Sequence, residues 1–291
     1  MNPLQSLAFF WASCARLGSL ACLLVLLGTS GCSSVGSQAP VDLEAWRLLA
    51  RGRAQLALEE FEHVEPEGLD AMAGARRELG RSRALAALGR AQEATAAIER
   101  SIELLPSAAQ GHVDLGVLWL EQGDAARALV AFDEALLIDG TLAVAAYDRG
   151  LALDQLGSNE AAAEAFTRAT ELDPALAEAH NALGVILARG GDLERAASAF
   201  RIAAENGGGT PARLNLAEAL LHLEDARTAL VELNAAVRLA PSEVEPLLAR
   251  AEVILRLGDL ELAAEDFEAA LTLDPTRRDI HSRLAAILKD R

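Results

Sequence analysis

A clock runs through this chain. Phe132, Phe166 and Phe200 stand 34 residues apart, and Phe61 and Phe267 keep nearly the same count at multiples of it. The glycines repeat it at Gly89, Gly123, Gly157 and Gly191, with Gly52 and Gly258 as outliers in phase. Pro106, Pro174, Pro241 and Pro275 mark the same interval. A self-similarity of 34 residues means that one supersecondary unit is copied, each copy burying its apolar face against the next. The composition says which kind of unit. Of 291 residues, 61 are Ala and 52 are Leu, while aromatic residues make up only 4%. Ala and Leu favour helices, whereas strands draw on β-branched and aromatic residues. A β sandwich or barrel is therefore excluded.

Within each copy the positions can be followed. A small residue recurs in the middle of the first helix, in Leu115-Gly116, Arg149-Gly150, Leu183-Gly184, Leu216-Ala217 and Arg250-Ala251. Ala, Phe and Ala recur down the second, in Ala128-Phe132-Ala135, Ala162-Phe166-Ala169, Ala196-Phe200-Ala203 and Ala263-Phe267-Ala270. Their i, i+4, i+7 spacing puts all three on one helical face. Glycine marks the turn between the helices, and proline ends the unit because it cannot continue a helix. Asp124, Asp192 and Asp259 follow turn glycines, and Ser158 does so in another copy. Each is expected to cap the second helix, for about 1 kcal/mol. These positions together resemble the tetratricopeptide repeat (TPR) family. The resemblance implies an all-α fold: an α-solenoid of about seven helix-turn-helix units and a C-terminal capping helix. The units are read at 38–74, 75–108, 109–142, 143–176, 177–209, 210–243 and 244–277, with the cap at 278–291.

The N-terminus reads as an address. Arg16 is the only charged side chain before Asp42, and an apolar run follows from Leu17 to Leu27. Eleven residues are too few to span a bilayer core of about 30 Å. With the small residues Gly28 to Gly31 after it, the run reads as a secretory signal over 1–31. Ser30-Gly31-Cys32 resembles the lipobox of bacterial lipoproteins, with Thr29 departing from the usual Leu. That resemblance implies cleavage before Cys32 and attachment of lipid, including palmitate, to it. Several acyl chains anchor firmly where one anchors weakly. Residues 32–40 are small, polar and end in Pro40, a flexible tether to a solenoid over 41–291. Ser33 after the cysteine favours, by the rule of enteric bacteria, the outer membrane. The expectation is a bacterial cell-envelope protein, lipid-anchored and facing the periplasm. Cys14 and Cys22 fall within the signal, so the mature chain has no intramolecular disulfide.

The net charge is −17, from 43 acidic and 26 basic side chains. Such a surface repels phosphate backbones, so nucleic acid is not a partner. The chain holds no HExxH, paired CxxC, phosphate-loop Gly-Lys or GxSxG arrangement. His112, His180 and His281 share one repeat position and are expected to be partly buried packing groups. No enzyme, cofactor, metal or small-molecule substrate is expected.

In the resembling family, partners are other proteins, held on a groove built from the first helices. Carried onto this chain, the groove takes Arg83, Val113, Val117, Tyr147, Leu151, Asp154, Asn181, Val185, Leu214 and Glu218. Read along the chain, from Arg76 and Arg83 to Glu218 and Glu252, it is basic at its start, apolar in the middle and acidic at its end. Tyr147 is the chain's only tyrosine. The resemblance implies a membrane-anchored adaptor in cell-envelope assembly, such as pilus or outer-membrane machinery. A self-assembling envelope spacer and a regulator of cell-wall enzymes are the alternatives.

Overall fold

A computed structural model describes residues 42–64 and 69–289. Cys32, the signal over 1–31 and the tether over 32–40 lie outside the described residues. Fifteen α-helices and no strands are found among those described. They fall into two compact units, divided between Gly123 and Asp124.

The first unit holds α1 (Leu43–Ala50), α2 (Ala54–His63), α3 (Ala71–Ala87), α4 (Ala91–Leu104) and α5 (Ala109–Glu121). At its start Trp46 meets Phe61 edge-on, with ring centroids 5.5 Å apart. Phe61 is fully buried, and its ring lies against the backbone of Gly80 on α3. α3 begins at Ala71, four residues before the point where the repeat spacing opens its unit. The cause is Asp70, whose carboxylate accepts the Ala73 amide at 2.7 Å and starts the helix early. Glu78, 5% exposed, accepts from Arg77 at 2.8 Å, Arg81 at 2.9 Å and Arg100 at 3.2 Å. A buried carboxylate is tolerated when it is ionised and surrounded in this way.

The second unit holds α6 (Ala125–Ile138), α7 (Ala143–Gln155), α8 (Asn159–Leu172), α9 (Ala177–Arg189), α10 (Leu193–Glu205), α11 (Gly209–His222), α12 (Ala226–Leu239), α13 (Val244–Arg256), α14 (Leu260–Leu273) and α15 (Arg278–Lys289). Helices pack with their chain neighbours, α7 with α8, α9 with α10, α11 with α12 and α13 with α14. The small residues set how closely. A Cβ added at Gly150 would come within 2.5 Å of the Phe166 ring, and one at Gly184 within 2.6 Å of Phe200. Hydrogen therefore occupies the space that lets each first helix rest on the phenylalanine of the second. α15 closes the unit by burying Ile280 and Ile287 against Phe267 and Leu247.

The second helices of this unit start on capping aspartates. Asp124, Asp192 and Asp259 accept the amides of Arg127, Arg195 and Leu262 at 3.0, 3.2 and 3.1 Å. Ser158 does not act as expected, because its side chain makes no capping hydrogen bond at the start of α8. A fourth cap comes from Asp225, which accepts the Thr228 amide at 3.1 Å. Spacing alone hides it, since Glu224 stands where the other turns carry glycine. Glu224 takes the left-handed backbone of those glycines, with φ of 62°.

Candidate functional site

The first helices of the second unit present one chemical face. Tyr147 and Leu151 lie one turn apart on α7, Asn181 and Val185 one turn apart on α9, and Leu214 and Glu218 one turn apart on α11. All six are half-buried. That exposure is what a residue needs if it is to be held by its own helix pair and still touch a partner. Tyr147 is fixed from below by Phe166, at 5.8 Å between centroids. Leu151 packs with it against the Phe166 core. Val185 and Leu214 pack against the neighbouring core of Phe200 and Leu216.

Polar groups cross between these helices. Asn181 Oδ1 accepts from Asn215 Nδ2 at 2.9 Å, a link between α9 and α11. Asn215 escapes a reading by repeat position. The residue number advances by 34 across this bond, whereas the unit at 177–209 is one residue shorter. Asp154 is paired with Arg189 of α9. Glu218 has no described hydrogen bond or ion pair, and burial pushes its carboxyl up from the ordinary range, against a smaller lowering by His222.

In the first unit the candidate residues fare differently. Val113 is 8% exposed and belongs to the packed interior, so it offers a partner almost no surface. Val117 is half-buried on α5. Arg83 is bound on two sides: its Nε and Nη2 donate to the two oxygens of Asp114 at 2.5 and 2.9 Å, and its guanidinium lies 5.5 Å over the Trp46 ring. Arg76 likewise donates to Asp42, from Nε at 2.9 Å. The expected basic start of the groove is therefore corrected, because both guanidinium groups face carboxylates of their own chain. At the other end Glu252 is paired with Arg283, which cancels part of the expected acidity.

Of the three histidines expected to be partly buried, His112 and His180 are half-buried and only His281 departs from that. His180 and His281 each set Nε2 3.1 Å from a carbonyl, of Pro174 and Pro275. A carbonyl can only accept, so the ring nitrogen donates and ties the loop to the following helix. His281 is exposed. Among the described residues no three His, Cys, Asp or Glu side chains gather as a metal site, and no described helix is long and apolar enough to cross a membrane.

Paired helices, glycines set against Phe61, Phe166 and Phe200 and a half-buried face on the first helices define a helical-repeat interaction scaffold. The tetratricopeptide repeat profile matches residues 79–142, 147–211 and 212–278, about two thirds of the chain. The chain belongs to the tetratricopeptide repeat family. No curated protein matches it significantly. Among solved structures, the PilF protein of Pseudomonas aeruginosa is similar at a TM-score of 0.64 and 17% identity, covering 74% of this chain and 99% of that one. The Cut9–Hcn1 tetramer of the APC/C gives 0.63 and 19%, over 85% of this chain and 48% of that one. This chain thus spans about half the length of that relative. YrrB, described as a TPR protein with an unusual peptide-binding site, gives 0.55 and 21%, over 68% of this chain and all of that one. At these identities the likeness is one of fold.

Proposed function

We propose that the chain is a lipid-anchored adaptor whose first-helix face over residues 124–291 holds a segment of another protein, in the assembly of the cell envelope. The TPR fold is typically a non-catalytic scaffold for protein interaction. The observation that carries the reading is the run of half-buried side chains on α7, α9 and α11, with Tyr147 buttressed by Phe166. A half-buried tyrosine whose ring is packed against its own core is a good anchor for a partner segment. The Ser30-Gly31-Cys32 motif supports attachment to a membrane, and Ser33 supports the outer membrane as that membrane. Anchoring would raise the effective concentration for partners at the same membrane. The likeness in fold to PilF makes pilus machinery the first place to look.

The experiment is a crosslinked pull-down of the anchored protein, comparing wild type with Tyr147→Ala combined with Val185→Asp. Recovery of an envelope-assembly component that the double variant loses is the expected result. Recovery of the protein alone would favour the self-assembling spacer, and recovery of a wall hydrolase or synthase would favour the regulator. Processing that is unchanged by Cys32→Ser and by globomycin would refute the lipid anchor.

A further inference from the structure

We infer that Glu218 is a receptor for a cation: the segment held on the first-helix face carries an arginine or lysine that pairs with this carboxylate, with apolar residues beside it. The inference rests on the docking reading above and adds what the partner must contain.

Glu218 sits on α11 between Leu214, four residues before it, and Leu221, three residues after. That spacing places the three on one helical face. Both leucines, with Val185 of α9, are half-buried against the core of Leu216 and Phe200. The carboxylate therefore stands in apolar surroundings, half out of water. A charged group so placed costs free energy unless it is paired. Among the described residues no arginine or lysine pairs with it, and His222, one turn on, offsets only a smaller part of the effect of burial. Four arginines of this unit are engaged elsewhere: Arg189 with Asp154, Arg213 with Glu232 at 2.5 Å, Arg250 with Asp266 at 2.6 Å and Arg283 with Glu252. Glu218 is thus unlike Asp154 and Glu252, the carboxylates of the same face that are already neutralised. Its partly desolvated state is reflected in a carboxyl pushed up by burial.

The long-range field points the same way. Residues 124–291 carry 29 acidic and 16 basic side chains. A basic segment is drawn toward such a surface and an acidic one is repelled. A guanidinium or ammonium arriving at Glu218 would form a charge-assisted hydrogen bond in a place with few competing waters, where such bonds are strongest. The leucines and Val185 would take the apolar neighbours of that residue. The occupant is therefore a protein segment that couples a basic residue to apolar ones.

The test selects random peptides of about twelve residues, displayed on phage, on the immobilised full chain. Wild type is expected to enrich sequences with Arg or Lys next to apolar residues. Those peptides are expected to lose about tenfold in affinity on Glu218→Gln. Selection on Glu218→Arg is expected to shift the enriched residue to Asp or Glu. Peptides without a basic residue, or peptides that bind Glu218→Gln as tightly as wild type while failing on Tyr147→Ala with Val185→Asp, would overturn the role of Glu218 and leave the docking face standing. Selected peptides indifferent to that double variant as well would overturn both.

Discussion

Arg250 holds Asp266 with both ends of its fork, donating from Nε and Nη2 to the two carboxylate oxygens at 2.8 and 2.6 Å. Its third arm, Nη1, donates to Asn234 at 2.9 Å. One side chain on α13 therefore ties together α12 and α14. It occupies the position where other units carry leucine, in Leu115-Gly116 and Leu183-Gly184. A planar guanidinium can do this where a leucine would only fill space. Asp266 is 4% exposed, so this pair stands in for the water that its carboxylate has lost.

Removing Arg250 should be costly, since it leaves a buried carboxylate without a counter-charge. Arg250→Leu is expected to destabilise the fold by about 2–3 kcal/mol, below the range for a fully buried pair because the arginine keeps some solvent contact. Arg250→Leu with Asp266→Leu should recover most of that loss, because no isolated charge remains. Urea melts of the two variants and wild type check both statements. A single variant as stable as wild type would mean that the pair contributes nothing.

The close contact of Gly150 with Phe166 predicts a different kind of failure. Gly150→Ala places a methyl group 2.5 Å from the ring, where no Cβ can sit unless the helices part. The expected loss is about 1–3 kcal/mol, the range for overpacking a filled core. This is against the helix propensity of alanine, which alone would favour the change by about 1 kcal/mol. Phe166→Leu in the same chain should restore part of the loss by vacating the space. Thermal denaturation of the single and double variants measures it.

Glu224 is the one described residue other than glycine with a positive φ, at 62°. The same turn in four other units carries a glycine with φ between 74° and 88°, at Gly123, Gly157, Gly191 and Gly258. An L side chain in that region costs about 1 kcal/mol or more. Glu224→Gly should therefore stabilise the chain, by about 0.5–1 kcal/mol once the extra freedom of glycine in the unfolded state is counted. The rise in Tm should be about 2 °C for a chain of this size. Ser158→Asp is expected to act in the same direction by supplying the cap that α8 lacks.

The period of 34 carried the fold class in the sequence, because it was written in residues whose packing is unforgiving. Phe166 and Gly150 repeat since neither can be exchanged without parting two helices. Asp124, Asp192 and Asp259 were legible as caps because each follows a turn glycine. Asp225 was not, since its turn is made by Glu224. The face of the first helices could be assigned by position, but its charge could not. Arg83, Asp154 and Glu252 read as free charges along the chain, and their partners lie 31 to 35 residues away in space-filling contact. Nor does the one-residue shortening before α11 announce that Asn215 would face Asn181. Pairing between copies depends on rotamers and reach, which no periodicity encodes.

Acid should act on this fold in two opposite ways. Asp124, Asp225 and Asp274 have carboxyl groups held below the ordinary range by hydrogen bonds from Arg127, Thr228 and Thr276, and Asp279 is lowered to about 2 by Arg277. A folded value below the unfolded one stabilises the native state above the unfolded pKa, and that contribution is lost as pH falls toward the folded value. These groups should weaken the fold progressively below about pH 4. Glu218 has the reverse sign, since burial raises its carboxyl in the folded state. Its ionisation is a cost present at neutral pH and relieved as the group takes up a proton on acidification. Glu218→Gln should therefore raise stability at pH 7, by about half a kcal/mol given the partial solvent screening of the site. The gain should shrink toward pH 4, whereas Asp279→Asn should lower stability at pH 7, with an effect that fades as pH falls through about 2. Urea midpoints of the three proteins across this range decide it. A Glu218→Gln variant less stable than wild type at neutral pH would show that the carboxylate already has a counter-ion within the fold, and that no incoming cation is needed to neutralise it.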